Sequence, residues 1–347
     1  MSLARDSGPV GRRTPALVTV VMPVYNVGPF VAASIGSVLS QTYERFELIV
    51  VDDGSTDDTP DRVADIQDDR VRLVRQPNAG SATARNTGVA AGRGELIAFI
   101  DGDDAWLPDK LARHVAYLRG HPDADLTFAW SRTVDEGGQD TGRTSAHVSG
   151  VVPFERLFVL NVVGNGSAAV LRRDALDRAG TFDDHLRAAV DHDMWLRVAL
   201  LRPRNVHAVP ETLSLYRMRA GQTTKDWRRM EKAWQRLVEK MRTLAPERVA
   251  GVESEARGRM YRYLAYMAYE AHEYPQAAAH LRVAVAASPM AVLRDRGTWI
   301  VGAGLVARAL LPRRMHLKLD SLARRLRRAR VTEPERLTIP VEQRSAS

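Results

Sequence analysis

The chain has 347 residues, of which 45% are hydrophobic and 27% charged, a globular composition long enough for about two domains. It contains no Cys, which excludes disulfide scaffolds, thiolate metal sites and cysteine nucleophiles. The net charge of +8 is uneven: residues 1–221 carry a balance of −4, and residues 222–347 a balance of +12.

Residues 1–16 are polar and lack an apolar segment, so we expect a disordered leader and no secretory signal. Apolar runs then alternate with helical patterns. The predicted strands are 17–22, 46–51, 71–76 and 96–100, and the predicted helices are 29–41, a short one from Pro60, and 81–91. This alternation predicts a parallel sheet covered on both faces, with ligands bound beyond the carboxyl ends of its strands.

The remainder of the chain divides near residue 221. Before it the pattern is mixed, with predicted strands at 125–134, 167–171, 205–210 and 213–219 and a helix at 191–201. From about Asp226 the pattern is helical, and residues 266–290 resemble one tetratricopeptide hairpin. We therefore predict a catalytic or binding domain over 17–221 and a helical region with a basic tail over 222–347.

Three carboxylates, Asp101, Asp103 and Asp104, follow the strand predicted at 96–100. Like charges this close repel, and a divalent cation such as Mg²⁺ or Mn²⁺ relieves the repulsion, because these ions prefer oxygen ligands. Gly102 leaves room for a phosphate or ribose to approach. The alternative is an ordinary surface turn, in which Asp and Gly are common.

Polar residues also follow the other strands. Pro23, Tyr25 and Asn26 follow the first strand, and Asp53 follows the second. An edge carboxylate or amide accepts hydrogen bonds from a base or ribose, and a tyrosine ring stacks on a base. The amides at the start of helix 81–91, with Arg85, suit a diphosphate. Each feature alone also fits a helix cap or a surface ion pair.

Taken together, in this order and spacing, these stretches resemble the family 2 glycosyltransferases. The matching segments are "VVMPVYN", "SVLSQTYERFELIVVDDGSTDDT", "NAGSATARNTG", "AFIDGDDAWLPDKL", "GTFDDHLRAAVDHDMWLR" and "LSLYRMR", within residues 17–220. The resemblance implies an α/β GT-A fold with a mainly parallel central sheet. It also implies an inverting mechanism, a nucleotide-diphospho-sugar donor, and Mn²⁺ or Mg²⁺ bound through an Asp-x-Asp motif.

The same resemblance implies roles for individual residues. Asp53 would contact the base, Asp101 the ribose, and Asp103 the metal, with Asp104 as the alternate ligand. The remaining residues of the predicted nucleotide-sugar site are Pro23, Tyr25, Asn26, Arg85 and Gly102.

The family also implies a catalytic base in the stretch "VDHDMWLR", which places it at Asp191. An Asp at the start of a helix facing a donor cleft can take the proton of an acceptor hydroxyl. Two alternatives stay open: Asp193 as the base, or Asp191 as a helix cap only. The chain departs from the family pattern at Val190, usually Glu, and at Arg219, often His, which removes one metal ligand and supplies a cation for the diphosphate.

These features predict a metal-dependent inverting glycosyltransferase of cell-surface glycan or polysaccharide biosynthesis, located in the cytoplasm. A UDP-sugar is the default donor, and a glycan, a lipid-linked glycan or another hydroxyl compound is the acceptor. No nucleic acid is expected as a partner, and the chain contains no P-loop and no dinucleotide fingerprint after a strand. The alternative function is a non-catalytic nucleotide-sugar-binding or scaffold protein that acts through its basic helical tail.

Residues 297–330 allow two interpretations. An apolar run from Trp299 to Ala307 precedes "RRMHLKLDSLARRLRRAR", residues 313–330, which carries eight Arg or Lys and one Asp. Such a pair suits an anionic membrane surface at the inner face of a membrane. Alternatively, the apolar residues pack against the predicted hairpin and leave only arginines exposed.

Overall fold

The structure, a computed structural model, describes residues 15–145, 147–186, 188–219 and 226–310. Residues 1–14 of the predicted leader and the whole basic stretch 313–330 lie outside the described residues.

The first part of the chain alternates strands and helices as predicted. The strands are β1 (Val18–Val24), β2 (Phe46–Asp52), β3 (Val71–Arg75) and β4 (Leu96–Phe99), and the helices are α1 (Gly28–Leu39), α2 (Thr59–Ala64) and α3 (Ser81–Ala91). These strands pair in parallel in the order β3-β2-β1-β4. The apolar residues of β1, β2 and β4 are nearly all buried because helices cover both faces of the sheet, whereas β3, at the edge, is partly exposed.

Strand β1 runs two residues further than predicted, through Pro23 to Val24. Proline is tolerated there because β4 pairs with β1 only as far as Val21, which lies opposite Phe99. The register of β1 with β2 ends at Val24 opposite Asp52. The ends of β1, β2 and β4 therefore meet at one edge of the sheet.

The middle of the chain completes the sheet. Its elements are β5 (Ala105–Trp106), α4 (Lys110–Gly120), β6 (Leu126–Val134), β7 (Asp140–Thr144), β8 (Gly150–Val151), α5 (Phe154–Val159), a 3₁₀ turn (Gly166–Ala168), β9 (Ala169–Arg172), α6 (Arg173–Ala179), α7 (Val190–Leu201) and β10 (Val206–Arg217). The strand order continues from β4 as β9-β6-β10-β5, with β7 beside β6 and β8 beside β10. Strand β9 is antiparallel to both β4 and β6, so the sheet is mixed.

Two predicted boundaries in this part were wrong. The strand predicted at 167–171 begins as the 3₁₀ turn and becomes strand β9 only at Ala169. The two strands predicted at 205–210 and 213–219 are one strand, β10, because the ladder with β6 continues past Pro210 through a register shift between Val209 and Thr212. The predicted α/β class is confirmed, with parallel pairing in β3-β2-β1-β4 and between β6 and β10.

The region from residue 226 to residue 310 is helical, as predicted. Its helices are α8 (Trp227–Leu244), α9 (Pro246–Ala250), α10 (Glu253–Glu270), α11 (Tyr274–Ala287), α12 (Pro289–Leu293) and α13 (Arg296–Leu310). Helices α10 and α11 form a hairpin. The apolar core of these helices is continuous with the core on one face of the sheet, since Trp227, Leu237 and Leu264 belong to the same cluster as Phe128 and Trp195. Within the described residues, no helix combines the length and apolar character that crossing a bilayer requires.

Candidate active site

The carboxylate of Asp53, one residue past β2, is buried and holds the loop that leads into α3. Its Oδ1 accepts hydrogen bonds from Gln76 Nε2 at 2.8 Å and from the amide of Ala79 at 2.9 Å. Its Oδ2 accepts one from the amide of Gly80 at 2.8 Å. Asp53 thus shapes the loop at the edge of the sheet, and its contact with a base stays a prediction.

The residues after β1 form a tight turn against the loop that follows β2. Asn26 has a left-handed backbone, with φ of 50°, which asparagine tolerates better than most residues. Its amide donates to Ser55 Oγ at 3.0 Å, and its Oδ1 accepts from the amide of Thr56 at 2.8 Å. Pro23, near the end of β1, is half-buried, and Tyr25 is exposed, so the tyrosine ring is accessible to a planar ligand.

Arg85, in the second turn of α3, is buried and pairs with a carboxylate after β4. Its Nη2 donates to Asp101 Oδ1 at 2.7 Å. The guanidinium carbon lies 5.9 Å from the centre of the Phe182 ring. A Cβ at Gly166 would lie 3.3 Å from Arg85 Nη2, so this glycine leaves the space that the arginine occupies. The pairing places Arg85 at the predicted donor site, and its contact with diphosphate stays a prediction.

Ser167, in the 3₁₀ turn, connects the acidic cluster to the rest of the sheet. Its Oγ accepts from the amide of Asp101 at 3.0 Å and donates to Asp104 Oδ2 at 2.5 Å. Its carbonyl accepts from Trp106 Nε1 at 2.9 Å and from Ser214 Oγ at 3.2 Å. The strand predicted at 167–171 included Ser167, and its hydrogen bonds to the acidic cluster were not predicted, because the surrounding "GNGSAAV" contains no signal beyond small residues.

Two arginines at the end of β10 hold the other two carboxylates. The amide of Arg217 donates to Asp104 Oδ1 at 2.9 Å, and its Nε donates to the carbonyl of Asp103 at 2.8 Å. Arg219 Nε donates to Asp103 Oδ2 at 2.5 Å. Burial raises the pKa of Asp103, and the neighbouring Asp101 raises it further while Arg219 opposes the rise. Burial likewise raises the pKa of Asp104 well above its ordinary value.

The packing around Gly102 requires a glycine at this position. A Cβ at this position would lie 2.6 Å from Val24 Cγ1 and 3.1 Å from Val27 Cγ2. Its carbonyl accepts a hydrogen bond from Ser34 Oγ at 2.9 Å. The space that a Cβ would take is therefore filled by valine side chains of the β1–α1 segment, which is a different reason for glycine from the expected approach of a phosphate or ribose.

The two acidic residues at the start of α7 have different surroundings. Asp191 is half-buried, and its Oδ1 accepts from the amide of His192 at 2.9 Å. Burial raises the pKa of Asp191, against the charges of Arg85 and His192, which lower it. Asp193 is fully buried and paired: Arg197 Nη2 lies 2.8 Å from its Oδ2, and Lys240 Nζ lies 2.9 Å from its Oδ1.

The donor set fits a divalent cation only if substrate completes the coordination. Among the described residues, no group of three or more His, Asp or Glu side chains forms a ready metal site. Mg²⁺ is commonly held by one or two carboxylates together with substrate phosphates and water. Asp103, supported by Asp101, supplies carboxylates of this kind, whereas both oxygens of Asp104 already accept hydrogen bonds.

The sequence profile described as "Glycosyl transferase family 2" matches residues 19–180, the span that contains β1 to α6 and all three carboxylates of the cluster. These residues, fewer than half of the chain, match glycosyl transferase family 2. The resemblance found in the motifs is thereby confirmed, and the family 2 domain includes most of the sheet.

Two curated relatives share part of this domain. An uncharacterized glycosyltransferase of Rickettsia bellii is 31% identical over 211 residues, which are 60% of this chain and 30% of the relative. The Escherichia coli UDP-Glc:alpha-D-GlcNAc-diphosphoundecaprenol beta-1,3-glucosyltransferase WfgD is 43% identical over 103 residues, which are 29% of this chain and 41% of the relative. The chain thus spans less than half the length of either relative.

Solved structures show the same fold. The mannosyltransferase PcManGT from Pyrobaculum calidifontis, in complex with GDP-Man and Mn²⁺, has a TM-score of 0.56 and 22% identity, and the similarity covers 93% of this chain and 88% of that one. S. aureus TarS 1-349, in complex with UDP-GlcNAc, has a TM-score of 0.54 and 18% identity over 84% of this chain and 81% of that one. The likeness extends over the family 2 domain and beyond it.

Proposed function

We propose that the protein transfers a sugar from a nucleotide-diphospho-sugar to an acceptor hydroxyl, with inversion, in the synthesis of a cell-surface glycan or polysaccharide. One observation carries the proposal: the family 2 domain has acidic residues at the ends of β2 and β4, on either side of the end of β1, and Arg85 links the cluster after β4 to α3. A UDP-sugar is the default donor, and structural neighbours bind UDP-GlcNAc or GDP-Man.

The nucleotide would bind at this edge of the sheet. The exposed ring of Tyr25 would stack on the base. Arg85 donates to one carboxylate oxygen of Asp101, and the other oxygen would accept a hydrogen bond from a ribose hydroxyl. Asp53 supports this pocket through the loop before α3. These contacts would position the nucleoside of the donor.

Asp103 would hold Mn²⁺ or Mg²⁺ together with the donor diphosphate, with Asp104 as the alternate ligand. The bound cation would neutralise the charge that develops on the departing nucleoside diphosphate. Asp103 is the better placed ligand, because hydrogen bonds from Ser167 and Arg217 already occupy Asp104. Replacing Asp103 with Asn should weaken Mn²⁺-dependent UDP binding, measured by isothermal titration, while the fold is kept. Equal Mn²⁺ dependence in the variant would contradict this assignment.

Asp191 would be the general base. It would take the proton of the acceptor hydroxyl as that oxygen bonds to the anomeric carbon and the carbon–phosphate oxygen bond breaks, its electron pair leaving with the nucleoside diphosphate. The reaction would pass through an oxocarbenium-like state. Asp193 suits this role less, since its carboxylate is buried between Arg197 and Lys240.

A pair of variants tests the base. Asp191→Asn should lower the transfer rate about 10²-fold or more with nearly unchanged nucleotide affinity, the usual scale of general-base loss. Asp193→Asn, the matched control, should reduce stability and keep more of the rate. The opposite pattern would move the base to Asp193. Donor binding without transfer or hydrolysis by the wild type would favour a non-catalytic nucleotide-sugar-binding protein, and NMR of the product linkage tests inversion.

We also propose that the enzyme is cytoplasmic and works at the inner face of a membrane on a lipid-linked acceptor. The E. coli relative is named for an acceptor of this kind, a diphosphoundecaprenol-linked sugar. The basic balance of residues 222–347 suits an anionic surface.

A further inference from the structure

A chain of buried hydrogen bonds runs from α4 to strand β9. Its members Lys110, His114 and Thr127 are fully buried. Lys110 Nζ lies 3.3 Å from His114 Nε2, and His114 Nδ1 lies 2.9 Å from Thr127 Oγ1. Thr127 Oγ1 donates to the carbonyl of Val170 at 3.2 Å. Because a buried polar group that loses its hydrogen bond is costly, the members of such a chain hold one another in place.

The direction of each hydrogen bond in the chain follows from the carbonyl at its end. The hydroxyl hydrogen of Thr127 goes to the carbonyl of Val170, so Thr127 Oγ1 accepts the hydrogen of His114 Nδ1. Burial lowers the pKa of His114 well below its ordinary value, so the ring is neutral at pH 7 and its Nε2 has a lone pair. Lys110 Nζ therefore donates to His114 Nε2.

Lys110 connects this chain to the 3₁₀ turn beside the acidic cluster. Its Nζ also donates to the carbonyl of Ala168 at 2.9 Å. An amine has at least two hydrogens whether or not it is charged, so it can make both hydrogen bonds at once. The carbonyl of Ser167, one residue earlier, accepts from Trp106 Nε1 and Ser214 Oγ. Two consecutive carbonyls of the turn are thus held from α4, β5 and β10.

The position of this turn determines where Ser167 meets the acidic cluster. Ser167 Oγ accepts from the amide of Asp101 at 3.0 Å and donates to Asp104 Oδ2 at 2.5 Å. Asp103, the proposed metal ligand, lies between these two residues in the sequence. A displacement of the turn would therefore move both ends of the segment that carries the proposed donor and metal contacts.

We infer that Lys110 is a positioning residue for donor binding. Held by His114 and Thr127, it fixes the turn through the carbonyl of Ala168. Ser167 then keeps residues 101–104 in the geometry that binds the nucleotide and its cation. Lys110 acts through the turn and not through a contact with the donor. The inference rests on the proposed function, which assigns these carboxylates to donor binding.

Titration calorimetry of the full-length protein with UDP in the presence of Mn²⁺ tests the inference. Lys110→Met keeps the length of the side chain and removes both hydrogen bonds. It should weaken UDP binding at least ~10-fold, because small displacements of site residues are costly. Leu118→Ala, at a buried leucine of the same helix, is the control and should lower stability while UDP binding stays at the wild-type level. A folded Lys110→Met protein that binds UDP like the wild type would overturn the inference.

Two variants at the far end of the chain separate positioning from a general loss of stability. Thr127→Val removes the hydroxyl with little change in size, so it should also weaken UDP binding, by a smaller factor than Lys110→Met. Thr127→Ser keeps the hydroxyl and should bind UDP like the wild type. Equal UDP binding by the two variants would contradict a positioning role of the chain, and this comparison decides the question even if Lys110→Met does not fold.

Hydrogen exchange measured by NMR reports on the turn in the absence of any donor. The amide of Asp101 donates to Ser167 Oγ, so its exchange should be about fivefold faster in Lys110→Met and unchanged in Leu118→Ala. Unchanged exchange in Lys110→Met would refute the positioning role. A wild-type protein that binds no UDP would refute the proposed function instead, and the exchange of Asp101 would still show whether Lys110 positions residues 101–104.

Discussion

Replacing Lys110 with Met should remove a pH dependence of stability that arises from one buried amine. Lys110 begins α4 and is fully buried, and burial lowers its pKa from 10.5 to about 7. Its Nζ donates to the carbonyl of Ala168 at 2.9 Å and lies 5.2 Å from the centre of the Trp106 ring. His114 Nε2 is 3.3 Å away, but burial lowers the pKa of this His well below its ordinary value, so it is neutral above pH 7.

The direction of this pH dependence follows from the number of protons that the folded and unfolded chains bind. Between pH 7 and pH 9 the unfolded chain keeps a proton on Lys110 while the folded chain loses it, so stability rises with pH. With pKa values of about 7 folded and 10.5 unfolded, the free energy of unfolding should increase by about 2 kcal/mol over this range. Methionine has a similar length and does not titrate, so Lys110→Met should lack this increase.

Urea unfolding at pH 7, 8 and 9 measures the effect. The stability of the wild type relative to Lys110→Met should grow by about 2 kcal/mol as the pH rises. Lys232→Met, at an exposed lysine of α8, is the control and should give a profile parallel to that of the wild type. Parallel profiles for Lys110→Met as well would refute the argument, because they would mean that the buried amine keeps its ordinary pKa.

Two further predictions concern the acidic cluster. Gly102→Ala should reduce the free energy of unfolding by about 1–3 kcal/mol, because its Cβ would lie 2.6 Å from Val24 Cγ1. Urea unfolding measures the effect. Gly36→Ala in α1 is the control and should not reduce stability, because its Cβ would meet no atom within 4 Å. Arg219→His should strengthen Mn²⁺ binding in the presence of UDP about tenfold, because it removes the guanidinium from Asp103 and adds an imidazole ligand. Unchanged titration calorimetry would argue against a metal at Asp103.

The sequence predicted the parallel half of the sheet well, because β1, β2 and β4 are short apolar runs, each followed closely by polar residues. It predicted less where a role depends on distant contacts. Ser167 lies 63 residues from Asp104, to which it donates, and no local pattern marks the pairing. The burial of Lys110 was not predicted either, because a lysine after "LPD" is typical of the solvent-exposed start of a helix.

Contacts between residues distant in sequence also connect the family 2 domain to the helical region, and the sequence did not predict them. Composition separated residues 17–221 from 222–347, yet the two regions share a core and an ion-pair network. Lys240, on α8, lies with its Nζ 2.8 Å from Asp183 Oδ2 and 2.9 Å from Asp193 Oδ1. Because Asp193 follows the proposed base by two residues on α7, the helical region supports the helix that carries the base.

Lys240→Met should therefore destabilise the whole protein. Breaking a buried ion pair costs about 3–5 kcal/mol, and since Lys240 is 29% exposed we expect about 2 kcal/mol. Lys240 also lowers the pKa of Asp183 against the effect of burial, which raises it. The stabilisation from that contact is present above pH 3.8, the ordinary value, and is lost as the pH falls through the lower folded pKa.

Urea unfolding of Lys240→Met at pH 7 and below pH 4 tests both the loss of stability and its pH dependence. Lys232→Met, on the same helix, is again the control. The difference from wild type should be largest at pH 7 and shrink in acid, since protonated Asp183 gains nothing from an ammonium. A single cooperative transition in the wild type is expected, because the core is continuous between the two regions. If Lys240→Met matched Lys232→Met at pH 7, the ion pairs of Lys240 would contribute nothing, and α8 would be held by the packing of Trp227 and Leu237 and by its other polar contacts, such as that of Arg236 with the carbonyl of His185.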